Sequence, residues 1–249
     1  GEGHMMQGWV SSDYLQPYFS QEKVSETIQF EQEIDNNTEN TQHSQHINTN
    51  ATGNLTGIDV SSISPNELRE LLKTGIPTDV SSEFGNIDTS KLAGGINFVY
   101  IKLGASSYGK GDFSPLNYNT YEEQVKVCEE MGVPYGFYYY STSTTVEEAN
   151  IELQHIHQKI ENLRSKIDMK HNNLDMVVDV ELAGKNDRQY QGNIQEHTEA
   201  KASLINGIQE SGISDNVLIY GPMRVMKPDL DQIFSLSDLH SMLSNPENV

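Results

Sequence analysis

The sequence predicts an α/β fold, a TIM-like (β/α) barrel truncated at its C-terminal end. Three observations carry this reading. From Pro77 onward, apolar strand-like runs alternate with amphipathic helix-like runs, the pattern of a parallel sheet with crossover helices. No glycine-rich phosphate loop follows the first strand, which sets a nucleotide-binding sheet aside and favours a barrel with its chemistry at the carboxyl ends of the strands. After Tyr220 there remain one helical pattern, Ser235 to Leu243, and no further strand, so the strands fall short of a closed barrel.

Each element has a local reason. Gly57-Ile-Asp-Val60 reads as a short strand. In Ser64-Pro65-Asn66-Glu67 the serine caps a helix, the proline fits its first turn and the glutamate closes a capping box. Leu68, Leu71 and Leu72 form one face of that helix, and Gly75 ends it. Thr78-Asp79-Val80 is another short strand, and Ile87 to Ala93 a short helix. Asn97 to Leu103 is a continuous apolar strand of the kind buried on both faces. Asn119 to Met131 is helical, with Thr120 and Glu123 in the box positions and Gly132 and Pro134 as stops. Tyr135 to Tyr140 is a strand, and Thr145 with Glu148 opens a helix that reaches Lys166 and turns Ala149, Leu153, Ile156, Ile160 and Leu163 inward. Leu174 to Val180 is the fourth long strand, Ile194 to Ser211 a helix with Ala202, Ile205 and Ile208 inward, and Val217 to Tyr220 the last strand.

Composition sets the boundaries. Only 35% of residues are hydrophobic, so part of the chain is expected not to fold. Residues 21–54, rich in Gln, Asn, Thr, Ser and Glu without periodicity, read as an acidic disordered linker. Residues 1–20 then stand apart from a barrel domain over 55–249. A net charge of −20 argues against nucleic acid and anionic lipid, and no apolar run is long enough for membrane insertion. The single cysteine, Cys128, excludes an internal disulfide and a cysteine-only metal site; beside Val125 and Met131 in a helical pattern it reads as core. A monomer is expected.

The residues that can carry chemistry lie at strand ends. Asp179 and Glu181 are two apart, so alternation puts both on one face, and two close carboxylates push one pKa up. Glycoside hydrolysis needs such a pair, one acid for the leaving oxygen and a second carboxylate for the oxocarbenium-like centre. A solvated acidic strand end has the same spacing. Asp79 ends a short strand. Tyr138 and Tyr140 share one face of their strand, opposite Phe137 and Tyr139, and offer either sugar-stacking surfaces or core packing. Asp112 sits in a glycine-flanked loop, as a ligand or a turn residue. His155 and His157 are two apart on a helix and make a poor metal pair, and no serine sits in a nucleophile elbow. No metal or other cofactor is expected, since two carboxylates and a water suffice for this chemistry.

In order, Thr78-Asp-Val-Ser-Ser82 with Gly85-Asn-Ile-Asp88, Ile96 to Gly104, Asp112 with Asn117, Gly136 to Tyr140, Val178-Asp-Val-Glu181 and Leu218-Ile-Tyr220 resemble glycoside hydrolase family 25, the Chalaropsis-type lysozymes that include phage endolysins and autolysins. The resemblance is strongest over 77–240. It implies a barrel of five strand–helix units plus extra strands, and cleavage of the β-1,4 bond between N-acetylmuramic acid and N-acetylglucosamine of bacterial cell-wall peptidoglycan. By position it implies Glu181 as general acid, Asp179 as stabiliser of the positive centre or of the substrate N-acetyl group, and Asp79 as the first-strand acid. Tyr138, Tyr140, Asp112 and Tyr220 would line the substrate cleft. It implies action at the bacterial wall, by an extracellular or phage-encoded protein. Thr89 stands where the family usually has Trp, and the family's late aspartate would fall beyond Val249. Two alternatives follow: a wall-binding module of the same fold with impaired activity, and a barrel glycosidase for a chitin-like glycan. Gly57-Ile-Asp-Val-Ser-Ser62 also resembles the family's opening strand. Asp79 is preferred to Asp59 because only Asp79 is followed by the Gly-x-Ile-Asp run. Gly8 to Leu15 resembles the last strand of a bacterial Src-homology-3-type wall-binding domain.

Overall fold

The computed structural model describes residues 57–74, 96–108, 112–183, 187–222, 225 and 232–244. The proposed linker, the Gly8 to Leu15 segment, the Thr78-Asp79-Val80 strand and the Ile87 to Ala93 helix lie outside them.

The described residues alternate strand and helix as expected. Strand β1 (Gly57–Asp59) is followed by helix α1 (Pro65–Thr74). Then come β2 (Phe98–Ser106), the short β3 (Pro115–Leu116), α2 (Tyr121–Met131), β4 (Tyr135–Tyr140) and α3 (Val146–Arg164). They are followed by β5 (Met176–Asp179), a 3-10 turn (Arg188–Gln191), α4 (Ile194–Glu210), β6 (Val217–Tyr220) and α5 (Leu236–Ser244). The sheet order is β1-β2-β4-β5-β6, every neighbouring pair parallel, with β3 antiparallel on β2. The sheet curls, an α/β half-barrel.

The caps explain the helix starts, with one correction. The Ser64 capping box forms in both directions: the Ser64 amide donates to Glu67 Oε2 (2.7 Å) and the Glu67 amide to Ser64 Oγ (3.3 Å). Thr145 accepts from the Glu148 amide at 3.3 Å, but Glu148 turns to Thr144 and Arg188 instead of closing its box. Thr120 is already in helical conformation and its side chain caps nothing, so α2 starts there without the expected box. Gly132 ends α2 at φ 67°, a left-handed conformation that glycine adopts without a Cβ penalty. The fourth long strand is shorter than expected and stops at Asp179, which leaves Glu181 beyond its end.

Strand alternation divides the sheet into two faces. Val99, Ile101, Leu103, Phe137, Tyr139 and Val178 pack outward with Val125, Cys128, Ile156, Ile160, Leu204 and Ile208 of the helices. Each such side chain, fully buried, contributes on the order of 1.5–3 kcal/mol. Tyr100, Tyr138 and Val177 form a separate cluster on the inner face. Between Lys102 and Gly104 the β2–β4 register slips by one residue, so Gly104 pairs with Tyr139 and Ala105 with Tyr140. β1 is seated by close approach: a Cβ on Gly57 would lie 1.9 Å from the Phe98 ring. Gln124 of α2 clamps the chain after β1 by donating to the carbonyls of Val60 and Ile63, both at 2.7 Å.

A buried polar network holds the loop after β4. Glu152 of α3, with no exposed surface, accepts from Ser141 Oγ (2.6 Å) and from the Thr142 and Ser143 amides (3.0 and 3.2 Å). Lys201 of α4 donates to Ser141 Oγ (2.8 Å) and to the Ser143 carbonyl (2.9 Å). Charges removed from water this way hold only as a complete set. Replacing Lys201 by Met, which leaves Glu152 without its counter-charge, is expected to destabilise the fold by about 3 kcal/mol or more in urea unfolding. The double variant Glu152→Gln/Lys201→Met should recover part of that loss.

Candidate active site

The parallel sheet delivers acids to its carboxyl edge. Asp59 ends β1 and Asp179 ends β5, with Glu181 two residues further on. Asp179 is level with Tyr140 on one side and Tyr220 on the other. The Tyr138 hydroxyl reaches across β2 to donate to Asp59, 3.2 and 3.1 Å from its two oxygens. The Ser61 amide also donates to Asp59, at 2.8 Å.

The segment after β5 is pinned by its backbone. The Glu181 carbonyl accepts from the Tyr140 hydroxyl (3.0 Å) and from Gln189 Nε2 (2.8 Å). The buried Asp187 closes the loop, accepting from the Gln189 amide (2.9 Å) and the Ala183 amide (2.8 Å). Arg188 then ties this loop to α3 through an ion pair with Glu148 and a 2.8 Å bond to the Thr142 carbonyl. The half-buried Glu181 is therefore on a fixed main chain although it lies past the strand.

The electrostatics single out Asp179. Only 8% of it is exposed, and among the described residues no hydrogen bond reaches its Oδ1. Burial raises its pKa well above the ordinary carboxylate value; the charges of Glu181 and Asp59 push the same way and Lys102 opposes them. Asp59 is also raised by burial, against the hydrogen bonds of Ser61 and Tyr138 and the charge of Lys102. Its side chain nevertheless keeps contact with solvent. The Tyr220 hydroxyl pKa is raised by burial and then by the charges of Glu181, Asp179 and Asp59.

The structure brings together most of the residues expected from sequence. Asp179, Tyr138, Tyr140 and Tyr220 meet at the carboxyl edge with Glu181 beside them. The tyrosines act differently from a stacking surface: Tyr138 and Tyr140 are 7% and 4% exposed, and it is their hydroxyls that serve the site. The open aromatic faces are Tyr108 and Tyr220, at 41% and 36%. Asp112 is exposed in the loop between β2 and β3, and none of the site's hydrogen bonds reaches it. Asp79 lies outside the described residues; among those described, the acid on the strand beside β2 at the sheet edge is Asp59. His155 bonds Tyr139 (3.0 Å) while His157 is exposed, so the two do not converge. Among the described residues no group of three or more His, Cys, Asp or Glu side chains is arranged to hold a metal.

Two features escaped the sequence reading. Lys102 stands within an apolar strand, yet its ammonium lies on the inner face among tyrosine rings. The signal was available: it is the one charged residue between Asn97 and Ser107. The Glu148–Arg188 pair, by contrast, joins residues forty apart that no local pattern links.

No curated protein sequence matches the chain. Among solved structures, the modular autolysin LytC from Streptococcus pneumoniae is 15% identical, with a TM-score of 0.38 over 51% of this chain and 26% of that one. The catalytic domain of endolysin ply40 from bacteriophage P40 of Listeria monocytogenes is 17% identical, with a TM-score of 0.37 over 53% of this chain and 55% of that one. The chain thus spans about a quarter of the autolysin and just over half of the endolysin domain. The family model for glycosyl hydrolases family 25 matches residues 78–234, which includes Asp79, Asp179 and Glu181 and begins after β1. That match covers well over half of the 249 residues, and the chain belongs to glycosyl hydrolases family 25.

Proposed function

We propose that this chain is a peptidoglycan hydrolase that cleaves the β-1,4 bond between N-acetylmuramic acid and N-acetylglucosamine. The observation that carries the reading is the meeting of Asp59, Asp179 and Glu181 at the carboxyl edge of the sheet in a member of a glycosidase family. Glu181, half-exposed on a pinned main chain, is the general acid that protonates the leaving oxygen. Asp179, buried beside it, stabilises the positive centre or orients the substrate N-acetyl group. The charge of Glu181 adds to the burial that raises the Asp179 pKa. Tyr220 and Tyr108 offer the open rings on which sugars stack. The curled sheet is the described part of a TIM-like barrel, and the protein works as a monomer on the bacterial wall without a metal or cofactor.

The first-strand acid is Asp59 in this reading, because it stands in the sheet and is held by Tyr138 and Ser61. Asp79 is its rival, because the family match covers it. Glu181→Gln is expected to lower reducing-end release from purified cell walls by about 10²–10⁴-fold with unchanged folding; lysis retained by that variant contradicts the assignment. In the same assay Asp59→Asn should lose most activity and Asp79→Asn little. The opposite order would give Asp79 the role. Wall binding by the wild-type chain with no reducing ends released would point to a binding module instead.

A further inference from the structure

A lysine in the middle of a buried strand needs a reason. Lys102 is the last inward residue of β2 before the register slip, level with Tyr138 on β4. Its ammonium donates to the Tyr108 hydroxyl, which lies 3.0 Å from the Tyr118 hydroxyl. The nitrogen sits 4.8 Å from the Tyr118 ring centre, 5.2 Å from Tyr108, 5.5 Å from Tyr140 and 5.7 Å from Tyr138. These are cation–π distances from four rings at once. The Tyr108 ring also packs on Tyr140, with centres 4.7 Å apart.

We propose that Lys102 is a positioning residue of this site, a cation fixed by tyrosine faces so that its charge acts on Asp59 and Asp179 from a constant place. Ring faces hold an ammonium without neutralising it, whereas a carboxylate partner would cancel its field. The cage also removes the freedom of a four-carbon stem. The groups that face the ammonium are Tyr108 and Tyr118 from either side of β3 and Tyr138 and Tyr140 from β4, and its charge reaches Asp59 of β1 and Asp179 of β5. The charge of Glu181 also acts on Asp179, and Tyr220 is level with Asp179 on β6. Lys102 opposes the upward push of burial on both aspartates. The same contacts anchor Tyr108, whose ring is the most exposed aromatic surface beside the acids. The catalytic meaning of this arrangement rests on the hydrolase reading; its electrostatic content does not.

The test is a carboxyl-carbon NMR titration of Asp179 and Asp59 in the full chain, comparing wild type with Lys102→Met and Lys102→Arg. The Met variant should raise the Asp179 midpoint by about one pH unit or more, and the Arg variant should return it towards wild type. A folded Met variant with an unmoved Asp179 midpoint overturns the proposal. Lys102→Gln is the second neutral variant. If neither neutral variant folds, Tyr108→Leu/Tyr118→Leu decides, since it removes two of the four ring faces and the hydroxyl anchor together: a raised midpoint supports the proposal and an unchanged one overturns it. A wild-type chain that titrates as expected but releases no reducing ends from cell walls refutes the hydrolase reading alone.

Discussion

A carboxyl group taken out of water requires a counter-charge, a hydrogen bond or a proton. Asp179 is held at the end of β5 with one oxygen that no described hydrogen bond reaches. Glu181 and Asp59 add negative charge to its surroundings, and the caged Lys102 adds the opposing positive one. The remaining way to satisfy it is to keep a proton at a pH where exposed aspartates have lost theirs. A carboxyl kept neutral in this way can donate a hydrogen bond to the substrate N-acetyl group, which suits the orienting role proposed for Asp179 beside the general acid Glu181.

Such a site is stable only if its walls cannot move to let water in. The Ser141 amide donates to the Asp179 carbonyl at 2.8 Å, so the loop after β4 and the end of β5 are one unit. Glu152 and Lys201 grip that loop from α3 and α4 through Ser141 and Ser143. The Arg188–Glu148 pair and Asp187 fix the far side, where Glu181 lies. The helices therefore do more than cover the sheet: their buried charges are placed under the strand ends that carry the acids.

The strand–helix alternation was legible because the signals are local. Apolar runs such as Tyr135 to Tyr140, the Ser64 box and the Gly132 stop each act within a few residues. The Asp179–Glu181 spacing was legible for the same reason. Two kinds of information were not. Asp59 and Asp79 head identical segments, Asp59-Val-Ser-Ser62 and Asp79-Val-Ser-Ser82, and only the downstream Gly85-Asn-Ile-Asp88 run separates them in the sequence. What seats β1 is long-range: the Phe98 ring against Gly57 and the Gln124 clamp on Val60 and Ile63. The roles of the tyrosines also depended on depth. Tyr138 and Tyr140 share the inner face as alternation requires, but only the packed structure shows that their rings are covered and their hydroxyls do the work.

Protonation of Asp179 by burial is measured most directly as unfolding free energy against pH for wild type and Asp179→Asn between pH 4 and 7. A carboxyl whose folded pKa is raised binds more protons folded than unfolded, so its contribution is fully present below about pH 4 and is lost as pH rises towards the folded value. His155 and His197, both lowered to about 4 by burial, give the opposite trend, but they are common to both proteins and cancel in the difference. The wild type should therefore lose stability relative to Asp179→Asn as pH rises, by up to about 1.4 kcal/mol per pH unit. A difference that is flat over this range, or that grows in favour of the wild type, would show that Asp179 is an ordinary ionised carboxylate and contradict the account.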